Sequence, residues 1–450
     1  MNLKLINNVL LIGIGGIGMS GLAKYFIQKN KTVYGYDREE SEITDELIRK
    51  GAKIIYNLQN IHNRYSFLKK EGTLIIYTPA ISSENSLLNY FINKDFEIFK
   101  RSDIIQEISA KSKCIAIAGT HGKTTTTSIL AHILKTANIS FTAFVGGIME
   151  NYNSNFIYNG EEYVLVEADE YDKSFLKLSP NYACITSLDI DHLDIYMNED
   201  NIISAFNQFV KNISDNGFLL THENLNFDSY TYGENISSDF YVKNIQVGPN
   251  TSKFNFIHKN NNVINVKLSL TGNHNIINAS AAIAIALELG VSENEIIDAL
   301  KTFEGIKRRF SFHLNTKKNI LIDDYAHHPE EINQIYISLS NIFPEEKISV
   351  VFQPHLYSRT RDLINEFAYE LSKFDSVILL DIYPAREEPI KEVNSQILLD
   401  KIDTEFKILS KKSDISKNLK RIGNRVNITL GAGDISKEII KIKNELEYEI

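Results

Sequence analysis

Along the first hundred residues, short apolar runs alternate with stretches of helical period. Residues 8–12, 31–36 and 73–78 read as buried strands, and residues 19–29 as the helix between the first two. Strand–helix–strand alternation predicts a parallel, doubly wound sheet. The rhythm restarts with a short apolar run at 113–118. The loop 119–123 follows, then a helix with Ile129, Leu130, Ile133 and Leu134 on one face. Further strands are expected at 163–167 and 183–187. An Asn- and Ser-rich stretch, 235–262, reads as strands and turns inserted in this part, and the Ala-rich stretch 275–289 as a helix. A third unit begins near Ser311, with strands at 319–323, 348–352, 376–381 and 426–430, and the basic residues 307–309 mark its junction. The expected organisation is three α/β domains, at 1–108, 109–310 and 311–450.

Composition narrows the class. The chain has 450 residues, room for roughly three domains at about 150 residues each. Hydrophobic residues make up 43% and charged residues 23%, which excludes a disordered or fibrous chain. A net charge of −9 argues against general nucleic-acid binding, which depends on neutralising phosphates. Cys114 and Cys184 lie in apolar runs without CxxC spacing, so neither a disulfide framework nor a zinc site is expected, and a reducing cytoplasm fits. No apolar run reaches the ~18 residues of a membrane span, so no membrane insertion is expected. The apolar N-terminus behind Lys4 has the look of a secretion signal, but a strand running into a glycine turn replaces the cleavage site. Nothing in the pattern selects monomer or homodimer.

Two glycine loops carry the clearest chemistry. Gly13-Ile14-Gly15-Gly16-Ile17-Gly18 joins a strand to a helix. Glycines allow a tight turn and let the backbone approach a diphosphate at the helix N-terminus. Asp37 ends the next strand, where an acid meets a ribose in such folds. A purely structural turn is the alternative, and the pattern does not separate NAD from a UDP-sugar. The second loop is Gly119-Thr120-His121-Gly122-Lys123-Thr124-Thr125. Its backbone N–H groups would cradle phosphates, Lys123 would neutralise the β/γ-phosphate charge, and the Thr124 hydroxyl would ligate Mg²⁺. It departs from the general G-x₄-G-K-[ST] form in having Ile117 at the first glycine position.

Other clusters are more ambiguous. Glu167-Ala168-Asp169-Glu170 closes a strand, where a Mg²⁺ ligand belongs beside a phosphate loop, although three acids in four residues also describe a surface loop. His192, in Asp189-Ile190-Asp191-His192-Leu193-Asp194, is either a metal ligand or a surface histidine. His274 and Asn278 are four apart on one helix face. Polar groups there read an adenine edge, or the segment is an Asn-rich cap plus a buried Asn. Two C-terminal loops, Asp323-Asp324-Tyr325-Ala326-His327-His328-Pro329 and His355-Leu356-Tyr357-Ser358-Arg359-Thr360-Arg361, each follow a strand. Arg can hold a carboxylate through two parallel hydrogen bonds, and His or Asp can orient an amine; a solvated surface is the alternative.

Taken in order, and extended by Met19-Ser20-Gly21 and by Thr126-Thr127, these motifs resemble the Mur ligases, the ATP-dependent amide-forming enzymes of peptidoglycan synthesis. The resemblance runs over nearly the whole chain, and the first motif is similar to that of the alanine-adding branch. It implies an N-terminal Rossmann-like domain for a UDP-sugar, a central P-loop ATPase with a mixed or parallel sheet, and a C-terminal Rossmann-like domain closing over both. The implied reaction joins L-alanine to the lactyl carboxylate of UDP-N-acetylmuramate through an acyl phosphate, with Mg²⁺ or Mn²⁺. Cell-wall biogenesis, cell shape and division follow from it. By the same resemblance Gly13, Gly15, Gly16, Gly18, Ser20 and Asp37 serve the UDP-sugar. Gly119 to Thr125, with His274, Asn278 and Arg309, serve ATP. Thr124, Glu167 and His192 serve the metal, and Tyr325, His327 and Arg359 the amino acid. Lys123, Glu167, His192, His327 and Arg359 form the implied catalytic set. Relatives often carry Arg where this chain has Leu356, leaving Arg359 and Arg361 to hold the alanine carboxylate, and Tyr171 replaces the commoner Ser. The alternatives are a sibling ligase adding a peptide in murein tripeptide recycling, an NAD-dependent oxidoreductase, and a nucleotide-binding module without chemistry.

Overall fold

The computed structural model describes residues 2–170, 173–188, 199–248, 251–258, 262–385 and 387–447. The chain forms two compact units, Met1–Gly305 and Ile306–Ile450. Three sheets make up three α/β domains, two in the first unit and one in the second.

The N-terminal sheet is parallel, in the order Lys53–Ile55, Thr32–Tyr36, Asn8–Ile12, Thr73–Tyr77, Ile98–Lys100. Chain order reverses on the two sides of Asn8–Ile12, so a crevice opens there at the carboxyl ends of the strands, where open α/β sheets bind ligands. Helix Ile17–Gln28 follows the first glycine loop, with Gly16 in extended conformation as its N-cap. It starts two residues earlier than the apolar pattern indicated, because the glycines that form the turn also form its first turn.

Among the described residues the central sheet has ten strands. Lys113–Ala118 lies between Tyr182–Ile185 and Tyr163–Glu167, all parallel. Beyond Tyr163–Glu167 come Phe141–Met149, parallel to it, and the antiparallel Ser154–Tyr158. This hairpin was absent from the sequence reading. On the other side the Asn-rich insert forms Phe240–Val247, Ser252–His258 and Asn262–Leu268, which extend the sheet. Helix Lys123–Thr136 opens with four threonines, which are poor helix formers. Thr124 to Thr127 are all buried, and the helix packs on the Ala-rich Asn273–Glu288. Tertiary burial thus overrides propensity. Cys114 and Cys184 are buried free thiols, pushed up to about 12 by burial, and therefore unreactive.

One apolar core runs from Val9, Leu11 and Phe26 of the N-terminal domain into Ala116, Phe144 and Val164 of the central one. Polar ties reinforce this joint. The buried Lys24 ammonium donates to Asn155 Oδ1 (3.0 Å) and pairs with Glu46 (2.7 Å). Lys29 meets Glu161 and Tyr158, and Lys177 meets Asp103 and Ser102.

In the second unit the sheet order is Ser311–Asn315, Ile320–Asp324, Val426–Leu430, Ile348–Phe352, Ser376–Leu379, Phe406–Leu409, parallel except for its first strand. The C-terminal strand Val426–Leu430 thus separates two strands that are consecutive in the reading from sequence. No helix among the described residues is long and apolar enough to cross a membrane.

Lys24→Ala would leave Glu46 and Asn155 without their shared cation inside the joint. Breaking such a pair is expected to cost roughly 3 kcal/mol, read as a lower denaturation midpoint of the ligand-free protein in urea. An unchanged midpoint would show that the apolar core alone sets the joint.

Candidate active site

The loop after Lys113–Ala118 emerges between the carboxyl ends of its two neighbours. Gly119 has φ +128°, and a Cβ there would lie 2.2 Å from Thr186 Oγ1, so only glycine fits. The loop is strapped to the next strand end: Thr120 N donates to Ser187 O (3.2 Å), His121 N donates to Ser187 Oγ (2.8 Å), and Thr186 Oγ1 donates to His121 O. Gly122 is the N-cap of helix Lys123–Thr136. The Lys123 ammonium folds back, donating to Gly119 O, to Thr120 O (3.3 Å) and to Glu170 Oε1 (2.8 Å). Burial pushes the Glu170 carboxyl up to about 7; Lys123 pulls against this and Asp169 adds to it.

Thr124 and Glu167 come together. Thr124 Oγ1 donates to Glu167 Oε1 (2.7 Å), and Gly146 N donates to Glu167 Oε2 (2.8 Å). Two adjacent hard oxygen donors beside a phosphate loop suit Mg²⁺, which keeps waters and substrate phosphates as its other ligands. No cluster of three or more His, Cys, Asp or Glu at metal distance occurs among the described residues. His192 and Tyr171 lie outside those residues.

The first glycine loop closes the other side of the site. Gly15 N donates to Asp37 Oδ2 (2.7 Å), and Arg38 N to Asp37 Oδ1 (2.8 Å). Asp37 therefore holds the loop itself, a use of the carboxylate that the ribose reading did not include. Ser20 differs from its expected place. It is fully buried, donates to Ile17 O (2.9 Å) and accepts from Asn155 Nδ2 (3.0 Å), so it belongs to the joint and not to a ligand surface. A cleft of about 340 Å³ is lined by Gly16, Gly18, Thr78, Arg101, Gly146 and Glu167, among others. The first glycine loop and the candidate metal carboxylate thus face one space.

Asn278, half-buried, packs on Gly122 and accepts from Thr126 Oγ1 (3.5 Å). The exposed His274 lies one turn earlier, its ring folded over Gly272. The N-cap of this helix is Gly272, and the buried amide is Asn275, which donates to Thr271 O (2.7 Å). The buried Asn of this segment is therefore Asn275, and neither His274 nor Asn278 is the cap.

In the second unit, Arg308 is a structural tie. It donates to Asp323 Oδ2 (3.2 Å) and to the carbonyls of Gly431 and Gly433, and lies over the Tyr325 ring. Arg309 is exposed. The His327 ring meets Tyr325 at 5.2 Å and His355 at 5.8 Å, and its Nδ1 is 2.9 Å from Tyr325 O. The two C-terminal loops therefore meet despite the intervening strand. Leu356 has φ +72°, an uncommon conformation for a branched side chain, pinned by Leu356 N donating to Tyr383 O (3.0 Å). Arg359 Nη1 is buried with no hydrogen-bond partner among the described residues. Arg361 is exposed and pairs with Asp362 (2.7 Å).

Gly146, Thr78, Asn155, Ser187 and Arg101 did not emerge from the sequence. The apolar, β-branched run at 141–145 was the available signal for the hairpin carrying Gly146 and Asn155. Glu170 yields a prediction. Its folded value lies above its ordinary 4.5, so the native state binds the proton first and stability falls as pH rises from about 4.5 to about 7. Glu170→Gln should flatten that fall, seen in thermal midpoints of both proteins across this window. A wild-type midpoint rising relative to the variant would contradict it.

Comparison with known proteins agrees with this geometry. The Mur ligase family, catalytic domain, matches residues 8–113; the Mur ligase middle domain matches 117–286; the Mur ligase, glutamate ligase domain, matches 308–435. The chain is 45% identical to a UDP-N-acetylmuramate–L-alanine ligase of Flavobacterium psychrophilum, over 99% of this chain and 100% of the relative. It is 43% identical to one of Christiangramia forsetii, over 100% and 99%. The crystal structure of UDP-N-acetylmuramate–alanine ligase MurC from Thermotoga maritima superposes with a TM-score of 0.82 at 28% identity, covering 98% of this chain and 100% of that one. A murein peptide ligase from Psychrobacter arcticus shares the fold, with a TM-score of 0.72 at 22% identity, covering 98% and 99%. With all three domains matched in order along its length, the chain belongs to the Mur ligase family.

Proposed function

We propose that this protein joins L-alanine to the lactyl carboxylate of UDP-N-acetylmuramate, using ATP and giving UDP-N-acetylmuramoyl-L-alanine, ADP and phosphate for peptidoglycan synthesis. The observation that carries the reading is the shared cleft. It brings the Gly16–Gly18 turn and Glu167 to one space, with Thr124 hydrogen-bonded to Glu167. Relatives above 40% identity bear the name of this activity. In this reading residues 1–108 bind the UDP-sugar through Gly13, Gly15, Gly16 and Gly18. Residues 109–310 bind ATP through Gly119 to Thr125, with His274 and Asn278 at the base and Arg309 also assigned to ATP. Residues 311–450 bind the amino acid.

A carboxylate does not react with an amine near neutral pH, so it must be activated. A lactyl oxygen attacks the γ-phosphorus, the bond to the β,γ-bridging oxygen breaks, and ADP leaves with its electrons. Lys123 follows the charge on the transferring phosphoryl group as it leaves Glu170. Thr124 and Glu167 would hold Mg²⁺, with His192 as the further ligand that the resemblance implies. Bound there, the ion would supply positive charge to the phosphates of ATP. The alanine amine, as the free base, attacks the acyl carbon, the acyl C–O bond to the phosphate breaks, and the proton lost from nitrogen leaves with the phosphate. Arg359 Nη1 suits the alanine carboxylate, because a buried guanidinium nitrogen calls for an acceptor. Tyr325 and His327 flank the amine. Use of ATP and a UDP-sugar supports a cytoplasmic location.

Phosphate release from ATP and Mg²⁺ should need both UDP-N-acetylmuramate and L-alanine. Release that needs the UDP-sugar but no free alanine would replace this reading with a peptide-adding sibling. Lys123→Ala should lower ligation by about a thousandfold or more, the scale of losing a charge-stabilising donor; a near-normal rate in the folded variant would remove Lys123 from the mechanism.

A further inference from the structure

Helix Arg101–Ser109 starts directly after strand Ile98–Lys100, at the carboxyl edge of the N-terminal sheet. The Arg101 guanidinium lies across Gly18. A Cβ at Gly18 would come within 2.7 Å of Arg101 Nη1 and 3.0 Å of Cζ, so the glycine is what lets the cation approach. Gly18 belongs to the first turn of Ile17–Gln28, where backbone N–H groups lack intrahelical partners. On its other side, Arg101 Nη2 is 3.7 Å from Asp169 Oδ2, longer than a hydrogen bond. Arg101 is the one cationic side chain among the described residues lining the cleft, and the acids there are Glu167 and Asp169. An anion entering this space meets two carboxylates. The helix end offers only about half a positive charge against them. A full, planar positive charge is the missing complement, and arginine supplies it with paired donors.

We propose that Arg101 binds an oxyanion of the sugar nucleotide in this cleft, with Asp169 keeping the guanidinium over the glycine turn. The inference rests on the sugar-nucleotide reading above. Two oxyanions share the chemistry, the diphosphate and the lactyl carboxylate. The contact with Gly18 favours the diphosphate, because the free N–H groups of the helix converge there.

Calorimetric titration of wild type, Arg101→Gln and Arg101→Lys with UDP-N-acetylmuramate, UDP-N-acetylglucosamine and a non-hydrolysable ATP analogue tests it. Arg101→Gln should weaken UDP-N-acetylmuramate by about tenfold or more, the scale of a lost hydrogen bond to a charged group, with partial recovery in Arg101→Lys and unchanged affinity for the ATP analogue. An equal loss for UDP-N-acetylglucosamine, which has no lactyl carboxylate, assigns the contact to the diphosphate; a loss confined to UDP-N-acetylmuramate assigns it to the carboxylate. Unchanged affinity for both sugars in Arg101→Gln overturns the proposal while leaving the sugar-nucleotide reading intact. A matching loss of ATP-analogue affinity and thermal stability also overturns it, by making Arg101 part of the domain joint. Failure of the wild type to bind either sugar overturns the sugar-nucleotide reading itself.

Discussion

The Glu167 carboxylate ties the first unit's site together. It ends a strand whose register pairs it with Ile117, directly before the phosphate loop. One oxygen takes the hydroxyl of Thr124 from the helix after that loop, and the other takes the backbone N–H of Gly146 from the hairpin beyond. A half-buried carboxylate must find donors, because leaving it unpaired costs several kcal/mol on the order of its lost hydration. Meeting that need locks loop, strand and hairpin into one arrangement. Gly146 also lines the cleft with Gly16 and Gly18, so the same carboxylate links the phosphate loop to that space.

Charges elsewhere in this unit obey the same rule. Lys123 and Glu170 face each other almost out of solvent, with side-chain exposures of 13% and 3%. Burial raises the acid while Lys123 pulls it down, so the ammonium is positioned by a carboxyl whose charge is itself costly to bury. At the joint, Lys24 plays a purely structural part between Glu46 and Asn155. Asn155 Nδ2 also donates to Ser20 Oγ, so the helix that begins at the first glycine loop is bolted to the hairpin that supports Glu167. Because an apolar core runs through the same joint, the N-terminal and central domains form one compact unit.

Much of this was legible from the sequence. Strands such as Asn8–Ile12 and Lys113–Ala118 announce themselves as short, mostly apolar runs, because strands buried on both faces carry few polar positions. The glycine loops are legible for a steric reason: at Gly119 a single Cβ would collide with Thr186, so the residue type records the geometry. Less legible were elements stabilised by their neighbours. The hairpin at 141–158 has a mixed pattern and becomes a sheet edge only because Tyr163–Glu167 is there to pair with it. Ser20 looked like part of a ligand motif, and its burial against Asn155 depends on that hairpin.

By itself the sequence determined the three α/β modules, the two glycine loops and the chemical inventory, since these follow from local periodicity, turn sterics and side-chain type. Only the tertiary structure decided which groups meet. Strand order placed Glu167 beside Thr124, inserted Val426–Leu430 between the two C-terminal loop strands, and laid Arg101 across Gly18 from a distant part of the chain. Such contacts join residues far apart in sequence. Their energy comes from desolvation and packing that exist only after the sheets have formed, so no local pattern can encode them.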